Sequence, residues 1–62
     1  MKPLWQYEGK NVRIIMKDGE KSCTVTGYVE IWFEDCDPEE EGLGLDHGRL
    51  VNALDIIDIE EI

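Results

Sequence analysis

Hydrophobic and polar residues alternate along most of the chain. Between Lys21 and Phe33, residues Cys23, Val25, Gly27, Val29, Ile31 and Phe33 share one side, while Thr24, Thr26, Tyr28, Glu30, Trp32 and Glu34 share the other. A period of two over this length predicts one long, half-buried strand. Gly27 offers no side chain to pack, which predicts a bend or bulge in mid-strand. Upstream, Asn11 to Lys17 carries Val12, Ile14, Ile15 and Met16, a β-branched run too short for a good helix. Asp18-Gly19 between these two runs is a strong hairpin signal.

The flanks are read in the same way. Pro3 opens and Gly9 closes a helical turn that lays Leu4 or Trp5 over the core. Glu34 to Glu41 holds six carboxylates and Pro38, a composition that predicts a loop. Gly42 to Asp46 then reads as a short strand, His47-Gly48 as a tight turn and Arg49 to Asn52 as another short strand. Ala53 to Asp55 reads as a tight helical turn, and Ile56 to Ile62 as a last strand. The predicted fold is all-β: a short helical turn, then five antiparallel strands with a long bent second member. This pattern favours a small, partly open barrel. A flatter sheet packed on a second copy is the alternative.

Composition narrows the function. The chain has 62 residues, 42% of them hydrophobic, which is one domain spanning 1–62 with a thin margin of stability. Fifteen Asp and Glu against six Lys and Arg give a net charge of −9. That balance disfavours nucleic acid and anionic membranes, which need a basic surface. No apolar run is long enough for a membrane helix, and the first residues lack the apolar core of a signal peptide. A cytoplasmic location is expected, with Cys23 and Cys36 as reduced thiols rather than a disulfide.

The order of several short motifs points further. Gly9-Lys10-x-Val12-x-Ile14, then Asp18-Gly19, then Gly27-x-Val29 resembles the first block of Sm-like domains. Ile56-Ile57-Asp58-Ile59-Glu60 resembles their last strand. The middle stretch, from Glu34-Asp35 to Gly42-Leu43-Gly44-Leu45, resembles short uncharacterised bacterial Sm-like proteins of Firmicutes type. The resemblance covers roughly residues 9 to 61. It implies a strongly bent five-stranded barrel after a short N-terminal helix, with edge strands of neighbouring copies pairing into a ring. Such rings hold single-stranded RNA through two loops. At the first loop this chain has the Glu34 to Glu41 acid run. At the second it has Asn52-Ala53 in place of Arg-Gly.

Candidate chemistry is sparse. His47 is the one histidine, and no Ser or Cys partner is placed to make it part of a nucleophilic triad. Asp35, Asp37, Glu39 and Glu41 offer oxygens at every second position for Ca²⁺, but Glu40 stands where an EF-hand needs glycine. The acid run also reads as a solvated segment or as a docking surface for a basic partner. Tyr28 and Trp32 share the polar side of the long strand, so they are either an exposed binding surface or, past a bend, part of the core. Lys10, Arg13, Lys17 and Lys21 flank the first hairpin, and a strip of these meeting another copy's acid run would make a head-to-tail contact. The resulting expectation is a non-enzymatic interaction module that self-associates, with no catalytic residue, metal or cofactor. It binds a protein partner through Tyr28, Trp32, Asp35, Asp37, Glu39, Glu40 and Glu41. An RNA-binding Sm-like ring is the alternative.

Overall fold

A computed structural model describes residues 3–36 and 39–62 and, in addition, leaves the side chains of Cys36 and Glu39 undescribed. A 3₁₀ turn over Leu4–Tyr7 leads into β1 (Asn11–Asp18), β2 (Lys21–Cys36), β3 (Glu39–Leu45) and β4 (Leu50–Asn52). A second 3₁₀ turn, Ala53–Asp55, leads into β5 (Ile56–Glu61). The strands form one antiparallel sheet in the order β4-β3-β2-β1-β5. The two ends of that order, β4 and β5, are open edges, so the sheet is not closed.

Local chemistry explains the punctuation. Pro3 accepts from the Gln6 amide at 3.1 Å at the start of the first turn, and Gly9 leaves it with φ +80°. Asp18 pairs with Lys21 across a two-residue loop in which Gly19 takes φ +67°. A positive φ at the first loop position matches the strand twist of a type II′ hairpin. Asn52 caps the second turn, its side chain accepting from the Leu54 amide at 2.9 Å.

The sheet curls strongly. Sixteen residues of β2 would span about 53 Å if extended at ~3.3 Å per residue, yet the molecule measures 28 × 28 × 23 Å. Its single core shows the same thing. Leu4 and Tyr7 of the first turn are buried with Val12, Ile14, Met16, Val29, Leu43, Leu45, Val51 and Ile59, drawn from every strand. With no second layer beyond a short turn, one face of a sheet buries such a set only by wrapping onto itself. The wrap brings Arg49, just before β4, to 3.6 Å from the Met16 sulfur on β1.

The bend comes from a bulge two to four residues beyond Gly27. Pairing between β2 and β3 runs Val29↔Leu45 and then Ile31↔Gly44, which leaves Glu30 as an extra residue. An extra residue reverses the alternation downstream. Cys23, Val25 and Val29 therefore face inward, Ile31 is exposed, and Trp32 turns in to pack against the core. Gly27 itself pairs regularly with Val12. Its lack of a side chain serves a different need, because a Cβ there would meet His47 Nε2 at 3.1 Å and Asp46 Oδ1 at 3.2 Å. The β3–β4 turn crosses β2 at that point, with the Asp46 amide donating to Tyr28 O and His47 Nε2 lying 3.2 Å from Thr26 O.

One further expectation is corrected and one is narrowed. The described part of the Glu34 to Glu41 segment is strand rather than loop: Glu34 to Cys36 complete β2 and Glu39 to Glu41 begin β3. Exposed carboxylates stay solvated on a hairpin as well as on a loop, so composition alone misjudged the ladder. Of the two residues expected over the core by the first turn, Leu4 is the one that covers it and Trp5 is not. Trp5 is 56% exposed, and Tyr7 packs inward beside Leu4.

Candidate interaction surface

The residues expected to make contacts separate onto different faces. Cross-strand partners share a face, and the register pairs Trp32 with Leu43 and Glu34 with Glu41 on the core side. It pairs Ile31 with Gly44, Phe33 with Gly42 and Asp35 with Glu40 on the outer side. Trp32 is thus half-buried beside the core, with its indole N–H donating to Glu41 at 2.9 Å and its amide donating to Glu8 at 2.8 Å. Tyr28 is exposed on the opposite face, so it does not form a joint surface with Trp32. Asp35 and Glu40 are exposed, whereas Glu41 is half-buried through its bond to Trp32. Asp37 lies outside the described residues, as does the side chain of Glu39.

This register also undoes the every-second-residue cation arrangement. The chain reverses between residues 36 and 39, so Asp35 and Glu41 sit on opposite faces of the hairpin. Among the described residues, no three His, Cys, Asp or Glu side chains are placed to hold a metal ion. None of the described polar or charged side chains is buried. His47 is exposed on the β3–β4 turn, and Cys23 is half-buried against the core.

An apolar patch that alternation alone missed lies on the outer face of β2, β3 and β4. Phe33 lies over Gly42, where a Cβ would collide with its ring and with the Val51 carbonyl. Ile31 lies over Gly44, with Leu50 opposite on β4. Leu50 is 70% and Ile31 52% exposed. The signal for this patch was the Gly42-Leu43-Gly44 spacing, since two glycines on one strand face need large neighbours to cover them.

The outer face of β1 and β5 differs. Arg13, Ile15 and Lys17 stand beside Thr26, Thr24 and Ser22 on one side and Glu60 and Asp58 on the other. Arg13 binds Glu60 there at 2.6 Å. Of the expected basic strip, Arg13 is thus paired with Glu60, while Lys10, Lys17 and Lys21 are exposed. Comparison of the chain with protein-family models, with curated proteins and with solved structures finds no match in any of the three. No helix among the described residues is long and apolar enough to cross a membrane.

Proposed function

We propose that this chain is a non-enzymatic interaction module on a small Sm-like barrel, which associates with copies of itself and binds a protein partner of basic surface. The observation that carries the reading is the pair of open edges at the two ends of one curled sheet. Unpaired strand edges are templates for pairing with another chain. Here each edge is bordered by exposed apolar residues: Leu50 and Leu54 at β4, Ile57 and Ile62 at β5. A β4 edge meeting the β5 edge of the next copy makes a head-to-tail contact, and repetition of it closes a ring. The same contact adds burial that a 62-residue core lacks.

Repulsion opposes this assembly. Every copy contributes −9, so association strengthens as salt screens the charge. The test is the solution mass by light scattering at micromolar protein and physiological salt. A single defined mass of roughly five to seven protomers is expected from edge-to-edge closure. A monomer or an isolated dimer at every salt concentration overturns the ring.

A further inference from the structure

We infer that the outer face of β2–β3–β4 is the docking site for a basic, leucine-bearing segment of a partner protein, seated on Ile31, Phe33 and Leu50. The inference deepens the partner half of the proposed function and does not depend on self-association. The two outer faces of the sheet are chemically unlike: on that of β1 and β5 the exposed Ile15 stands between Thr24 and Asp58 and beside the Arg13–Glu60 pair, whereas this one is apolar along two successive rungs. Exposed apolar residues gathered on one face mark an interaction surface more than singly scattered ones do.

Charge decides the occupant. The rung beyond Phe33–Gly42 pairs Asp35 with Glu40 on this same face, and the next inner rung pairs Glu34 with Glu41. Like charges directly opposite across a ladder are destabilising. No Lys or Arg lies on β2 beyond Lys21, or anywhere on β3 or β4. A partner that brings cations to this end of the patch relieves that repulsion and buries the apolar rungs together. A second copy laid face to face is a poorer occupant, because this face carries the Asp35–Glu40 rung and its three strands bring no Lys or Arg beyond Lys21 to meet it.

The experiment titrates the ¹⁵N-labelled full chain with three synthetic heptapeptides, alternating Lys-Leu, Lys-Ser and Glu-Leu. The Lys-Leu peptide is expected to bind at least about tenfold more tightly than Lys-Ser, since burial of even one leucine supplies that difference. Its amide shifts should centre on Ile31, Phe33, Gly42, Gly44 and Leu50. Ile31→Ser with Leu50→Ser should erase the gap. Leu50→Ser alone, at a residue that covers less of the glycine strand, should narrow it with the melting temperature kept. Equal binding of the two Lys peptides, binding of Glu-Leu, or shifts centred on β5 would each overturn the site. Light scattering on the same variants separates the two readings. An Ile31→Ser variant, away from the β4 edge that Leu50 borders, identifies this face as a contact between copies if it changes the mass, and that overturns the partner assignment. Peptide binding at the patch by a chain that stays monomeric leaves this inference standing while the ring fails.

Discussion

Gly42 is the position where one added carbon is costliest. A Cβ there meets the Val51 carbonyl and the Phe33 ring at once, and a strand backbone cannot move aside as a side chain can. Gly42→Ala is expected to cost about 3 kcal/mol in urea unfolding, the upper end of overpacking. At Gly44 the obstacle is the Ile31 γ2 methyl at 2.8 Å, on a half-exposed side chain free to turn outward. Gly44→Ala should cost about 1 kcal/mol, and adding Ile31→Ala should return most of it, a coupling expected only of touching residues. A second contrast separates the tryptophans. Trp32→Phe removes the bond to Glu41 and is expected to cost about 1 kcal/mol. Trp5→Phe should stay within about 0.5 kcal/mol because Trp5 faces solvent.

Between elements, the acidic hairpin and the β1–β5 seam differ in electrostatics. The hairpin stacks Glu34 against Glu41 and Asp35 against Glu40, whereas the seam sets Arg13 against Glu60. Asp35→Lys places an opposite charge across from Glu40 and should stabilise the fold by about 0.5 kcal/mol, a typical cross-strand pair. That gain should shrink in high salt. The same variant should weaken binding of the Lys-Leu peptide, which would set stability against function on one rung. Arg13→Ala, by contrast, removes a pair that is about half exposed on both sides. Its cost should stay below about 1 kcal/mol and fade with salt.

For the molecule as a whole, net charge and open edges pull against each other. The sequence isoelectric point lies near 4.2. Turbidity followed from pH 7 downward should rise as that value is approached, because loss of net charge removes the repulsion that keeps edges and patch apart. A chain that stays clear through pH 4.2 at high concentration would show that its edges are already occupied. What could be read from residue order was what depends on neighbours along the chain. A short β-branched run set the strand from Asn11 to Lys17, and the period of two set the one from Lys21 onward. Asp18-Gly19 and His47-Gly48 set turns, Pro3 and Gly9 bounded the first helical turn, and the bend in the long strand was anticipated. Three features depended on neighbours across the sheet. The extra residue Glu30 is visible only in the pairing with β3, and it alone exchanges Ile31 for Trp32 between outside and inside. The acid run became a hairpin because the ladder continues past Phe33, which composition does not encode. The apolar outer face exists because Gly42 and Gly44 lie under Phe33 and Ile31. Alternation names two faces but not which one meets water; closing the core around Val12, Ile14, Leu43 and Val51 made that choice.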